Sequence, residues 1–487
     1  MSLPQVKHYW NGDWWAGEGA STLHVEDPAR AERIAELHPA TTEETNRAVE
    51  AAHAAFLTWR RVPVTERIQP LFKLKALLEQ ELDSLARTIT TECGKTLAES
   101  KGELRRAIEN VEVACGMPMM IQSSFNEGIA SGIDEFSIRQ PLGVAAILCP
   151  FNFPAMIPFW FWPYAVATGC TVVIKPSERV PLTMQAVAKL IEQCGLPKGV
   201  FNVLNGDKST SEALMDHPLV KSVSFVGSSA AARAVYLRSA QNGKRVQCQG
   251  GAKNPVVILP DAEVETGTQV IADSAFGCAG QRCLASSVAV LIGDAKKTFG
   301  DSLRQAAISR KTGHGLEGAE MGPVINAASQ KRLQNYIADA EEAGAQVSVD
   351  GRKHDLGQGY FLKPTILEKL PESSPLIRTE FFGPILTLIE KPDIESALEF
   401  INSGAYGNMA CLFTRSGEAA RRFRTEAEVG NVGINVGVAA PMAFFPFSGA
   451  RESFFGDLHG QGRDAVRFFT NEKVVVERWP KDWSRKF

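Results

Sequence analysis

From residue 144 onward, short apolar runs without polar alternation are separated by segments of helical pattern. The runs are VAAILCP, TVVIKP, FNVLNG, VSFVGS, RVQCQG and PVVILP, and a helix over 181–195 fits between two of them. Such strands are buried on both faces, and a parallel sheet with helical crossovers provides that burial. We therefore expect an α/β fold whose ligands bind at the carboxyl ends of the strands.

The remaining chain divides into three kinds of segment. The pattern of residues 41–122 predicts helices, the first of which opens with a Thr and Glu capping signature. A second α/β block extends from about 252 to 445. Two polar/apolar ribbons, 134–141 and 472–480, lie outside both blocks and are expected to pair with each other or with another subunit.

Length, charge and cysteine content exclude several classes of protein. A chain of 487 residues predicts two or three domains. The net charge of −3, with both signs mixed along the chain, gives no support for nucleic acid or an anionic membrane as a partner. Nine scattered cysteines, without metal-type spacing, favour a reduced cytoplasmic protein with no metal site over a disulfide framework. The N-terminus lacks the layout of a signal peptide.

One uncharged stretch, 151–174, is long enough to cross a bilayer. Pro154, Pro158 and Pro163 interrupt it, and a Gly-Cys pair follows. Because these residues break helices, we predict a buried helix followed by a buried strand.

The stretch FGCAGQRCLASS, 276–287, contains the strongest candidate nucleophile. Thiolate is the reactive form of cysteine, and Arg282 and nearby backbone N–H groups are expected to raise the thiolate fraction of Cys283. Cys278 is the competing candidate. A cysteine in an apolar stretch is more often an inert core residue, so this pattern alone leaves both interpretations open.

Asn152, in CPFNFP, is a candidate oxyanion donor because its amide lies in a rigid apolar turn. A turn-capping role explains the same residue.

Two strand ends are candidate cofactor contacts. Ser228 follows a strand and opens a helix, where free N–H groups bind phosphate, although an ordinary βα turn has the same pattern. In TVVIKPSER, Lys175, Glu178 and Arg179 follow another strand, and the alternative there is a solvated turn. A carboxylate at Glu178 accepts hydrogen bonds from ribose and repels a 2′-phosphate, which favours NAD over NADP.

Seven motifs together resemble the aldehyde dehydrogenase superfamily, in order along nearly the whole chain. They are PFNFP, KPSE, FVGS, GGAKN, GQRC, EFFGPI and PFSGARESFFGD. The resemblance implies an aldehyde dehydrogenase-like α/β fold: a Rossmann-type NAD domain (1–122 and 142–251), an α/β catalytic domain (252–465) and a small β oligomerisation extension (123–141 and 466–487). It also implies a homo-oligomer, a dimer or tetramer joined through the ribbons.

The same resemblance assigns the site. It implies Cys283 as the nucleophile, with Asn152 and the Cys283 backbone N–H as oxyanion donors. Aldehyde oxidation then passes a hydride to NAD and leaves a thioester on the cysteine. The residues implied in the cofactor cleft are Cys149, Phe151, Lys175, Glu178, Arg179, Ser228, Gly250 and Glu380.

One departure from the pattern bears on how the thioester is released. Hydrolytic members carry a glutamate where Gln249 stands, and glutamine cannot take a proton from water. A thiol ionises nearer neutrality, so coenzyme A is the expected acceptor and co-substrate. Oxidation of another acidic aldehyde to the free acid, with a different base, and a non-catalytic binding protein of the same fold are the alternatives.

Further motifs, including EVGNVGINV and GDLHGQGRDAVRFFT, resemble the CoA-acylating methylmalonate-semialdehyde dehydrogenases. That resemblance implies methylmalonate or malonate semialdehyde as the substrate, with loss of CO2. It maps two carboxylate-binding arginines onto Arg106 and Arg282, although the neighbouring Arg105 competes with Arg106 for the inward position. Pro255 and Ala450 replace an expected histidine and a large aromatic, and they bear on the choice of substrate.

Overall fold

A computed structural model describes residues 3–479. The helices, in chain order, are α1 (Thr42–Trp59), α2 (Val64–Arg67), α3 (Gln69–Gln80), α4 (Leu82–Cys93), α5 (Leu97–Cys115), α6 (Met117–Met120), α7 (Met156–Phe159), α8 (Trp162–Thr168), α9 (Leu182–Ile191), α10 (Lys208–Asp216), α11 (Ser229–Gln241), α12 (Val264–Phe276), α13 (Ala295–Ser309), α14 (Ala327–Glu342), α15 (Ile394–Asn402), α16 (Gly417–Glu426) and α17 (Gly462–Phe469). Two 3-10 helices span Gly277–Gly280 and Pro375–Ile377.

The strands, in chain order, are β1 (His8–Trp10), β2 (Asp13–Trp15), β3 (Leu23–Asp27), β4 (Glu32–Leu37), β5 (Phe125–Ala130), β6 (Ile133–Pro141), β7 (Val144–Leu148), β8 (Thr171–Lys175), β9 (Phe201–Val203), β10 (Val220–Val226), β11 (Arg245–Gln249), β12 (Asn254–Ile258), β13 (Ser286–Ile292), β14 (Gln346–Val349), β15 (Thr365–Glu368), β16 (Ile385–Lys391), β17 (Tyr406–Gly407), β18 (Met409–Phe413), β19 (Asn431–Ile434), β20 (Ala450–Arg451), β21 (Phe454–Phe455) and β22 (Thr470–Arg478). Each of the six apolar runs forms a strand, as predicted.

The first sheet has the order β2-β1-β9-β8-β7-β10-β11-β21. Its five central strands, β9 to β11, are parallel. If β7 is numbered 1 and the other four are numbered in chain order, the strands lie side by side in the order 3-2-1-4-5. The direction of winding reverses between β7 and β10. A dinucleotide binds at such a reversal, outside the carboxyl ends of the strands. The predicted α/β fold with a Rossmann-type parallel sheet is confirmed.

The second sheet has the order β14-β15-β16-β13-β12-β18-β19 and is parallel except for β14. Cys283 lies three residues before the first residue of β13, at the amino edge of this sheet. Asn152 lies four residues after β7, at the carboxyl edge of the first sheet. The Asn152 side chain donates to the Gln281 carbonyl, so the two edges meet at these residues.

The two predicted ribbons pair with each other. β22 is antiparallel to β6 over nine register pairs, and β5 completes a three-stranded sheet. Phe125, Val474 and Val476 are each more than 60% exposed on it. Residues 480–487 of the predicted extension, and the last residue of the second ribbon, lie outside the described residues. The domain boundaries, the homo-oligomer and the cytoplasmic location stay predictions.

The helical prediction for 41–122 is confirmed. Thr41 and Glu44 form a reciprocal capping box at α1, and α4 ends at Gly94, which has φ 83°. The uncharged stretch forms α7, α8 and β8, so it contains two short helices rather than one. Within residues 3–479, no helix combines the length and apolar character that a membrane crossing requires.

Candidate active site

Cys283 lies where two cavities meet. The larger, of about 1360 Å³, extends along the carboxyl edge of the first sheet. The smaller, of about 60 Å³, lies on the other side of Cys283. A reactive atom at this junction is accessible to one ligand from each side.

The larger cavity collects most of the predicted residues: Cys149, Phe151, Asn152, Lys175, Glu178, Ser228, Gly250, Cys283 and Glu380. Arg106 and Arg282 line the smaller cavity. Arg179 lines neither of them; its half-exposed side chain lies 3.9 Å from the Glu178 carboxylate. The sequence did not single out Ser329, Arg332 or Phe382, which line the larger cavity from the second α/β block.

The 3-10 segment Gly277–Gly280, which precedes Cys283, contains left-handed residues and is strained. Cys278, Ala279 and Gly280 all have positive φ, at 50°, 52° and 67°. A Cβ at Gly280 would lie 2.1 Å from the Gly383 carbonyl oxygen, so only glycine fits. Consecutive left-handed residues are costly and concentrate at functional sites, where the surrounding structure holds them in place. Here the Glu99 carboxylate accepts the Cys278 N–H at 2.6 Å.

Two amide side chains fix the backbone of Cys283. Asn254 and Asn408 each donate from Nδ2 to the Cys283 carbonyl at 2.8 Å. The Asn254 oxygen accepts the Met409 N–H, which ties β12 to β18 at the same point. The sequence analysis missed both residues, although Asn254 ends the GGAKN motif.

The protonation of Cys283 differs from the expectation. Burial and the nearby charge of Glu380 raise its pKa to about 12, and the N–H groups of Cys283 and Leu284 oppose this only in part. Arg282 contributes little because its guanidinium is directed at the Cys278 sulfur (3.2 Å) and at Glu99 (3.3 Å). The backbone N–H groups and Arg282 do lower the pKa, as predicted, but burial and Glu380 outweigh them, so the free protein holds little thiolate at Cys283. Burial also raises the pKa of Cys278.

Asn152 is nearly buried, at 5% exposed. One hydrogen of its amide goes to the Gln281 carbonyl at 2.9 Å. The other has no acceptor among residues 3–479, so it is available to an oxyanion formed beside Cys283.

A buried ion pair supports the turn that carries Asn152. Glu103 accepts the N–H groups of Ala155 (2.8 Å) and Met156 (3.0 Å), and its other oxygen lies 2.5 Å from the Lys95 Nζ. The Lys95 ammonium also lies over the Phe153 ring, 3.6 Å from its centroid. Because each charge has several partners, the pair can remain buried and fix the turn.

The larger cavity fits a dinucleotide. Its volume exceeds the roughly 300–1000 Å³ typical of cavities for drug-sized ligands. Ser228 caps α11 at the switch between β7 and β10, where the helix N-terminus favours phosphate. Gly250 lines the cavity, and a Cβ there would lie 2.5 Å from the Glu452 carbonyl oxygen, so only glycine fits between the cavity and that backbone.

Three charged groups in or beside this cavity are strongly affected by burial. Lys175 donates to the carbonyls of Pro176 and Gly206, lies 3.8 Å from Glu178, and has a pKa lowered by burial. Burial raises the pKa of Glu380 to about 7 and lowers that of Lys253 to about 7. Glu380 accepts the Ala252 N–H at 2.8 Å, which leaves its second oxygen for a ligand.

In the smaller cavity, Arg106 is the inward arginine and Arg105 is exposed. Arg106 donates to the carbonyls of Ala440 and Pro441 and to Glu109. Its guanidinium is therefore held in a fixed orientation beside the cavity. Phe153, Trp160 and Phe447 also line this cavity, with the last two rings stacked 4.3 Å apart.

The three departures from the expected motifs lie outside both cavities. Gln249 donates to the Phe447 carbonyl at 2.9 Å, and its buried oxygen has no partner within the described part of the chain. Pro255 is buried in β12. Ala450 pairs with Gly407 in the β17–β20 ladder, so its small side chain does not enlarge the substrate cavity.

A family model described as "Aldehyde dehydrogenase family" matches residues 14–475. Malonate-semialdehyde dehydrogenase 2 of Oceanobacillus iheyensis is 42% identical, over 98% of this chain and 99% of the relative. Malonate-semialdehyde dehydrogenase of Pseudomonas aeruginosa is 41% identical, over 98% and 97%.

Two solved structures are similar over nearly the full length. Methylmalonate-semialdehyde dehydrogenase from Oceanimonas doudoroffii has a TM-score of 0.97 and 40% identity, over 99% of this chain and 100% of the other. A putative methylmalonate-semialdehyde dehydrogenase from Sinorhizobium meliloti, complexed with NAD, has a TM-score of 0.97 and 37% identity, over 99% of each chain.

The raised pKa of Cys283 predicts slow alkylation of the free protein. With a pKa of about 12, the thiolate fraction and the labelling rate should rise about tenfold per pH unit between pH 7 and 10. Mass spectrometry of the iodoacetamide-labelled peptide measures the rate, and Cys283→Ala shows any labelling at the eight other, buried cysteines. A rate that levels off below pH 9 would contradict the burial argument.

Proposed function

The chain belongs to the aldehyde dehydrogenase family, and we propose that it oxidises malonate or methylmalonate semialdehyde with NAD and transfers the acyl group to coenzyme A with loss of CO2. The position of Cys283 between a dinucleotide-sized cavity and a small cavity with two arginines carries this proposal. The names of the relatives support the choice of semialdehyde.

The first step is attack of the Cys283 sulfur on the aldehyde carbon. A C–S bond forms, and the carbonyl oxygen becomes an oxyanion that accepts hydrogen bonds from Asn152 and from the Cys283 N–H. The thiol proton needs an acceptor because its pKa is about 12. Glu380, with a pKa of about 7, is the buried carboxylate in the same cavity and fits that role.

The cofactor residues hold and orient NAD for the next step. The N-terminus of α11 at Ser228 binds phosphate, and Glu178 accepts hydrogen bonds from ribose. NAD held there would supply the hydride acceptor for the carbon attached to Cys283. A thioester on Cys283 remains.

Release of the thioester separates the two enzymatic alternatives. The Gln249 amide is bonded to the Phe447 carbonyl and has no basic form, so it cannot activate water. A coenzyme A thiolate attacks the thioester carbon, the bond to Cys283 breaks, and the cysteine thiolate leaves. When the neighbouring carboxylate leaves as CO2, its C–C electron pair forms an enolate whose oxygen Asn152 can stabilise, and the enolate carbon then takes a proton from water.

Oxidation of another acidic aldehyde to the free acid is the second candidate function. Glu380 is the observation that favours it, because a buried carboxylate with a pKa of about 7 can act as a base for water.

Replacing Asn152 by Ala should remove an oxyanion donor. We expect kcat to fall about 10²–10³-fold, as is typical of such a loss. Steady-state NADH formation measures kcat, and NAD titration of the protein's intrinsic fluorescence measures cofactor affinity, which should stay unchanged. A variant with normal kcat would remove Asn152 from the catalytic role.

Coenzyme A should be required for sustained NADH formation from malonate semialdehyde. Without it we expect a single burst of about one NADH per site and an acylated Cys283 peptide in the mass spectrum. Gln249→Glu should raise turnover without coenzyme A, more at pH 9 than at pH 7, because a buried carboxylate facing the Phe447 carbonyl ionises late. Steady turnover of the unmodified protein to free acid would instead favour the second candidate.

Arg106→Ala should weaken the recognition of acidic aldehydes. Loss of a charge-assisted hydrogen bond raises KM for malonate semialdehyde about ten- to a hundredfold and leaves KM for propanal little changed. Arg105→Ala removes the same charge from the adjacent exposed position and is the matched control. Equal changes for both aldehydes would exclude a carboxylate contact at Arg106.

A further inference from the structure

A separate cavity of about 800 Å³ lies between the end of α1, α2 and strand β6. Four arginines line it: Arg60, Arg61, Arg67 and Arg139. We call it the arginine cavity. It lies by Pro141 and Gly169, which precede β7 and β8, and is therefore at the amino edge of the first sheet. Cys149 and Lys175 are at the opposite edge, so the arginine cavity is distinct from the site around Cys283.

Arg67 is the most informative of the four. It is only 6% exposed, and its buried Nε has no hydrogen-bond partner. Its guanidinium makes no hydrogen bond or ion pair with any residue of the described chain, and burial lowers its pKa. The Nη1 atom lies 2.3 Å from where a Cβ of Gly169 would be, so the guanidinium is packed in place. A buried charge without a partner is costly, and an anion in the cavity would offset that cost.

The other cations increase the positive potential. Arg60 and Arg61 are exposed, and the Arg60 guanidinium lies over the Phe56 ring. Arg139 contacts Glu472 at 3.3 Å. Among the described residues that line the arginine cavity, none is Asp or Glu, so the positive charge exceeds the negative charge there.

We propose that the arginine cavity binds a small, multiply charged phosphate anion of the diphosphate type. Guanidinium groups match pairs of phosphate oxygens, and several of them around one cavity favour an anion with more than one charge. Ser123 and Gln140 also line the cavity and can donate further hydrogen bonds. The site is independent of the proposed oxidation of a semialdehyde.

Inorganic pyrophosphate is the probe. Calorimetric titration of the full-length protein at low ionic strength, with NAD in excess to fill the cavity at Cys283, should show one site per chain. R61E, which reverses one exposed charge, should weaken Kd by at least about tenfold. R67M should do the same. R33E reverses an exposed charge on β4, away from the lining residues, and should bind as the unmodified protein does.

Absence of saturable binding to the unmodified protein, or equal Kd values for R61E and R33E, would overturn the proposal. Sedimentation velocity tests the other occupant, a carboxylate of a second copy. An oligomer that dissociates in R61E while pyrophosphate does not bind the unmodified protein would assign the arginines to a subunit contact. NADH formation by R61E should be normal, so failure of this proposal leaves the proposed function unaffected.

Discussion

Three amide side chains fix the backbone around Cys283, where the two sheets meet. Asn152 donates from the first sheet to the Gln281 carbonyl, while Asn254 and Asn408 donate from the second sheet to the Cys283 carbonyl. These bonds lie on both sides of Arg282 in the chain. The backbone between them therefore has little freedom, and the strained 3-10 segment before it can persist. Precise placement of a nucleophile requires this kind of support from neighbouring residues.

Burial determines the charge of the site in the absence of ligands. It raises the pKa values of Cys283 and Glu380 and lowers those of Lys175 and Lys253. All four shifts favour neutral forms, because a charge in a low-dielectric cavity loses its hydration. A thiolate at Cys283 therefore forms only when the proton is transferred or a ligand alters the local charge. Burial thus protects Cys283, the proposed nucleophile, from oxidation in the free protein, since thiolate is the form that oxidises.

The local patterns predicted the local structure, and the parts that depend on distant contacts were left open. Apolar runs, capping residues and strand ends are encoded within a few residues, and strands β7 to β12 follow the six predicted runs. The partner of the 134–141 ribbon lies more than 300 residues away in the chain. The pattern of the ribbon therefore left open whether it pairs with the second ribbon or with another subunit. The choice between Arg105 and Arg106 depended on the packing of α5 against 440–441. The pKa of Cys283 depended on burial, which the adjacent Arg282 could not indicate.

Gln249 connects the proposed choice of acyl acceptor with the packing of the wall of the smaller cavity. Its Nε2 binds the carbonyl of Phe447, and the ring of Phe447 stacks on Trp160 in the wall of the smaller cavity. An ionised glutamate at this position would place its oxygens against that carbonyl, with acceptor facing acceptor. The amide therefore stabilises the wall that a carboxylate would repel. This packing supports the proposed transfer to coenzyme A, because a thiol ionises without a base at this position.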